Sequence, residues 1–136
     1  MKRTTREWVR KAEADHVVAR RSSRGKTPLH DLVCFHCQQC AEKYLKALLE
    51  ELGLSVPKTH ELGRILRSLR PQHPTLGSVR RGLDFLTQFA VDTRYPGENA
   101  TKRQVEAALR WEGRVRAEAR SLLGLRRPRP RRRRVK

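Results

Sequence analysis

Four side chains set at helical spacing, His36, Gln39, Lys43 and Glu50, are where this sequence could do chemistry. At about 100° per residue they fall within about 60° of one another on one helix face. A lysine there can hold a phosphate, and a histidine and an amide beside it can donate hydrogen bonds. Interleaved with them, Cys34, Cys37 and Cys40 repeat at three-residue steps, which matches part of an iron–sulfur or zinc pattern. Ligand runs of that kind lie on loops that wrap the metal, whereas an unbroken helix spreads these cysteines over about 120° of its surface. There is no fourth cysteine. A free cysteine packs as a small hydrophobe, so the three read as core residues, with a metal site or a disulfide as the lesser alternatives.

The element that positions these groups is the stretch from Leu29 to Leu52, which has no internal Gly or Pro. Val33, Cys37, Cys40, Ala41, Tyr44, Leu48 and Leu52 recur at three- and four-residue steps and predict an apolar stripe beside the polar seam. The plain reading of that seam is a solvated face carrying i,i+4 ion pairs such as Glu42–Lys46. Gly53 suits a left-handed residue after the helix end. A first helix is expected from Thr5 to about Ser22, with Trp8, Ala12, Asp15 or His16, and Ala19 facing inward and Thr4 or Thr5 as its cap. Thr59 is expected to cap a short helix from His60 to Arg70 that buries Leu62, Ile65, Leu66 and Leu69. A fourth helix is expected over about 75–90, and Thr101 caps a last one reaching about Leu123. No strand or internal repeat stands out. The expected fold is all-α, an up-and-down bundle of about five helices over residues 1–125.

Composition narrows the function classes. The 136 residues include 32 Lys and Arg against 14 Asp and Glu, a net charge of +18, which suggests an anionic partner such as nucleic acid. Residues 126–136 carry eight of those charges and no acid: Arg126, Arg127, Arg129, Arg131, Arg132, Arg133, Arg134 and Lys136. Arginine and proline alone bury nothing, so this segment reads as a disordered tail that can bind nucleic acid by counterion release. The rest of the chain still holds +10. No run of about 18 apolar residues exists to span a membrane, and the N-terminus lacks the apolar segment of a secretory signal, which makes the cytoplasm the expected location. Nothing in the pattern calls for a cofactor.

The run Phe35-His36-x-Gln38-Gln39-x-x-Glu42-Lys43-x-Leu45-Lys46-Ala47 resembles the second-helix signature of HEPN domains. Thr59-His60-Glu61-Leu62 and Arg94-Tyr95-Pro96 fit further pieces in order, so the resemblance covers about residues 4–123. It implies a short helical bundle that pairs as a homodimer, often beside a minimal nucleotidyltransferase in toxin–antitoxin or defence modules. It also implies one of two activities, nucleotide or RNA binding, or metal-independent RNA cleavage. Cleaving members use an Arg followed after four to six residues by His. Here the matching residue is Arg94, and Asn99, Ala100 and Thr101 stand where the His belongs. Arg10/His16, Arg24/His30 and Arg67/His73 have the spacing, as chance provides in so arginine-rich a chain. RNA cleavage needs a base for the 2′-hydroxyl proton and a cation for the phosphate, and the motif places only the cation. The expectation is therefore a non-catalytic subunit. Its ligand site would lie where the central helix meets the Arg94 loop, near a dimer interface. Lys43 and Arg94 would hold phosphate, His36 and Gln39 would donate hydrogen bonds, Tyr95 would stack on a base, and His60 is a further candidate.

Overall fold

Five α-helices follow one another in the computed structural model, which describes residues 1–25, 29–91 and 96–125: α1 (Arg3–Ser23), α2 (His30–Glu51), α3 (Leu62–Leu69), α4 (Arg80–Thr87) and α5 (Lys102–Leu122). Short 3-10 segments, Pro74–Val79 and Gln88–Ala90, flank α4, and there is no strand among the described residues. Arg94, Tyr95 and the tail from Arg126 lie outside the described residues.

The Leu29–Leu52 prediction becomes α2, and it sits at the centre, packed against α1, α3, α4 and α5. The expectation of one apolar stripe beside a solvated seam needs correction. Thirteen of its 22 residues are buried, among them Gln38, Glu42 and Lys46, so the helix is covered nearly all round. The Glu42–Lys46 ion pair exists but is buried. The three cysteines are free and fully buried in the core. Beyond Leu52, Gly53 takes φ 72°, and the amides of Gly53 and Leu54 bond to the carbonyls of Glu50 and Leu49, a Schellman closure that only a residue at ease with positive φ completes cheaply.

Apolar packing runs from α2 into α3 and α4. Leu45, Leu48 and Leu49 meet a layer built from Leu62, Ile65, Leu69, Leu76, Leu83, Leu86 and Phe89, all fully buried. Each such side chain contributes about 1.5–3 kcal/mol relative to exposure. α1 works differently. Its buried residues are Thr5, Ala12, Asp15 and Ala19, so small side chains let it approach α2 closely and polar groups bridge the contact.

Several boundaries differ from the sequence reading, each for a local reason. Neither Thr4 nor Thr5 caps α1: the cap is Lys2, and the Thr5 hydroxyl, one turn inside, donates to Glu51. Thr59 does accept a bond from the Glu61 amide, but α3 begins only at Leu62, whose amide donates to Thr87. The expected single helix over 75–90 is broken into three pieces, because Pro74, Thr75, Gly77 and Ser78 are poor helix formers and settle into a 3-10 run. At Thr101 the expectation holds, and with Gln104 it forms a full capping box.

Gly82 fixes the crossing of α4 and α5. A Cβ there would lie 2.2 Å from Cε3 of Trp111, so the indole is seated directly on the glycine backbone.

Candidate functional site

Four carboxylates, Asp15 and Glu13 of α1, Glu42 of α2 itself and Glu112 of α5, organise the polar side chains around α2. The first is Asp15 of α1, whose side chain is 10% exposed. Its Oδ1 lies 2.8 Å from His36 Nδ1, and its Oδ2 accepts from Lys43 Nζ. A carboxylate only accepts, so Nδ1 of His36 carries the proton and Nε2 is left for another partner. The Phe35 ring packs edge-on against the imidazole, with centroids 5.2 Å apart. Lys43 and His36 are about one-fifth exposed, so this pair opens to solvent along one edge.

The second group lies one turn further on α2. Glu42 accepts from Lys46 at 3.1 Å, from His60 Nδ1 at 2.7 Å and from Gln38 at 3.2 Å. Gln38 also donates to the His60 carbonyl, and its own Oε1 accepts from Gln39. Lys46 is capped by the Trp8 ring, 5.7 Å from its centroid, a cation–π contact that compensates a buried ammonium. His60 is the exposed end of this chain of bonds, with 59% of its side chain in solvent.

The third group ties α1 to α5. Glu13 accepts two bonds from Arg116, both at 2.7 Å, and one from the Tyr44 hydroxyl at 2.7 Å, while Arg120 bridges Glu13 and Tyr44. Partial burial pushes the Glu13 carboxyl up, but the bonds from Arg116 and Tyr44 and the charges of Arg116 and Arg120 outweigh it and hold its pKa at about 2. Nearby, the fully buried Glu112 accepts from His16 at 2.5 Å and from Arg20 at 2.9 Å. The donor atoms of His16, Cys40 and Glu112 lie within 4.8 Å of one another, a grouping with metal-ligand chemistry in which Glu112 is already engaged by His16 and Arg20. Burial, and then the charge of Glu112, push the Cys40 thiol far above its usual range. Cys34 is pushed up to about 12, chiefly by burial. None of the three thiols is set up as a nucleophile.

The structure therefore brings His36 and Lys43 together on Asp15, and Gln39 with His60 on the Gln38–Glu42 chain. Arg94 and Tyr95 lie outside the described residues, as do the tail arginines Arg126 to Arg134. Nearby in sequence, the Ala100 amide donates to Asp31 in the first turn of α2, which ties the start of α5 to the end of α2 that carries His36. Sequence reasoning put Asp15 or His16 on the inner side of α1 and paired Glu42 with Lys46, but it missed Glu13 and Glu112 and the part all four acids play as organisers. One signal was available: Asp15 stands at an inward step of α1, between Ala12 and Ala19, where an acid needs a buried partner.

A family model of the HEPN domain matches residues 5–122. Among solved structures, the fold is similar to the crystal structure of TT1696 from Thermus thermophilus, with a TM-score of 0.77 and 22% identity over 88% of this chain and 98% of that one. It is also similar to ST0689, an archaeal HEPN homologue, with a TM-score of 0.73 and 26% identity over 90% of this chain and 99% of that one. No curated protein matches the chain.

Proposed function

The chain belongs to the HEPN domain family, and from that premise we propose that it is a non-catalytic nucleotide- or RNA-binding subunit. In this reading it pairs as a homodimer and works beside a minimal nucleotidyltransferase in a toxin–antitoxin or defence module. The observation that carries the binding half is how its charge is distributed. The internal pairs on Glu13, Asp15, Glu42 and Glu112 use four acids and five Lys or Arg, so they absorb only one charge of the +18 excess. A surface with that excess attracts polyanions by releasing their counterions. The partly open His36–Asp15–Lys43 group supplies hydrogen-bonding and cationic chemistry at one edge, and Arg94 and Tyr95 would complete the site with a phosphate contact and a stacking surface. No described helix is long and apolar enough to cross a membrane.

Titrating the full chain with labelled single-stranded RNA, and separately with ATP, tests the proposal. Binding of at least one ligand that weakens in Lys43→Met and Arg94→Ala is the expected result. Absence of binding to both at low salt would sink it.

A second reading, metal-independent RNA cleavage, has one observation in its favour. Asp15 holds His36 by Nδ1 and leaves Nε2 for another partner, the way an orienting carboxylate sets a general base. Arg94 would then supply the cation. RNA cut by the purified chain in EDTA, with the activity lost in both His36→Ala and Arg94→Ala, would favour this reading over the first.

A further inference from the structure

Away from the α1–α2 seam, α3 and α4 converge on an open cavity of about 300 Å³ lined by Gly63, Leu66, Arg67, Arg70, Arg80 and Asp84. Among the described residues, none of its three arginines has an ion-pair or side-chain hydrogen-bond partner. Some arginines elsewhere on the bundle are engaged: Arg20 by Glu112, Arg116 and Arg120 by Glu13, and Arg114 by the Trp111 ring. Here three guanidinium groups share a hollow with a single acid. The guanidinium of Arg70 lies against Gly77, 3.5 Å from where a Cβ would stand, and Asp84 lies across Gly63, 3.1 Å from a Cβ position. Gly63 thus opens the cavity wall, and Gly77 beside it leaves room for the Arg70 side chain. Arg64, three residues before Arg67 and exposed, continues the row along α3. Steps of three residues advance about 4.5 Å each, so the row from Arg64 to Arg70 runs about 9 Å, longer than one phosphate group.

We propose that this α3–α4 cleft binds the phosphodiester backbone of a single-stranded nucleic acid, with Arg67, Arg70 and Arg80 each taking a phosphate oxygen. The inference rests on the nucleic-acid reading above and adds a second contact surface to it. Guanidinium groups match phosphate with paired, charge-assisted bonds. Three cations against one acid leave the hollow at a net positive charge that suits more than one backbone phosphate. Among the described residues, the lining holds no aromatic side chain on which a base could stack, which favours contact with the backbone.

The test compares two triple variants of the full chain, both losing three charges. One is Arg67→Gln/Arg70→Gln/Arg80→Gln, and the other is Arg6→Gln/Arg10→Gln/Arg110→Gln, on exposed positions of α1 and α5. Affinity for a labelled single-stranded RNA is measured by anisotropy over a salt series. Each phosphate contact on a single strand contributes about 0.7 to the slope of log K against log salt, so the cleft triple should lower the slope by about 2. The α1/α5 triple should lower it by less than half of that. Equal effects, or no effect of the cleft triple, overturn the proposal while leaving the general binding reading intact. Failure of the unaltered chain to bind RNA overturns both. Displacement of the RNA by equimolar adenosine monophosphate also overturns it, by making the cleft a mononucleotide pocket. Removing unpaired like charges leaves the melting temperature unchanged or raised, which separates lost binding from lost fold.

Discussion

Replacing Asp15 with Asn is the perturbation that best separates a seam that holds the bundle together from one kept open for ligand. The carboxylate is 10% exposed and accepts from both His36 and Lys43. Hydrogen bonds to charged groups contribute about 1.5–3 kcal/mol each. An amide in its place keeps one acceptor and turns a donor towards the other partner. Lys43 and His36 are about one-fifth exposed and can turn partly to water, which recovers some of the loss. The net cost should be about 2–3 kcal/mol, more than a surface pair gives and less than a fully buried pair. For a chain of this length that is about 6–15 °C in melting temperature. Thermal and urea unfolding followed by circular dichroism reads it directly. Adding Lys43→Met should recover part of the loss, with a coupling of about 1 kcal/mol or more in the double-mutant cycle. The same Asn variant should bind RNA more tightly, because the acid that competes for Lys43 has gone. A stability loss under about 0.5 kcal/mol with no coupling would refute the claim that Asp15 organises this group.

Three further outcomes follow from the other clusters. Glu13, with its pKa held at about 2 against 4.5 when unperturbed, stabilises the fold above pH 4.5, and that contribution disappears as pH falls through 2. The stability gap between the wild type and Glu13→Gln should accordingly shrink over that window in acid titrations of unfolding, and a gap constant from pH 6 to pH 2 would contradict it. The three buried thiols should be silent towards a disulfide reagent at pH 8 in the native state and all three should react in guanidinium; fast native reaction of any one would contradict their burial. Gly82→Ala should cost about 1–3 kcal/mol and shift the fluorescence of Trp111 to the red as the indole is pushed off α4, since there is no room for a methyl. An unchanged spectrum and melting curve would show that the contact is looser than described.

How much of this was legible from residues alone can be traced element by element. The central helix, its Gly53 stop and the Thr101 cap were, because each depends on local chemistry: an uninterrupted run, a positive-φ glycine, a hydroxyl three residues before a glutamine. The breaks after Val79 and after Thr87 were not, since a single 3.6-residue pattern fits both one helix and three short pieces. The candidate residues His36, Gln39 and Lys43 share a face as expected. Their partners come from elsewhere: Asp15 is 28 residues from Lys43, and Glu112 is 96 from His16. Burial of Glu42 and Lys46 was also hidden, because an i,i+4 pair looks the same on a wet face as beneath Trp8. Composition displayed the charge excess, but only the fold shows which arginines are engaged and which converge unpaired on the α3–α4 cleft.

The central claim is that this HEPN bundle holds nucleic acid without cutting it. The most direct measurement incubates the purified full chain with end-labelled single-stranded RNA at low salt in EDTA, then runs the same tubes on native and denaturing gels. A slower native band whose RNA is full length on the denaturing gel is the predicted result. Shortened RNA that persists in the wild type and vanishes in Arg94→Ala, or RNA that never shifts, would contradict it.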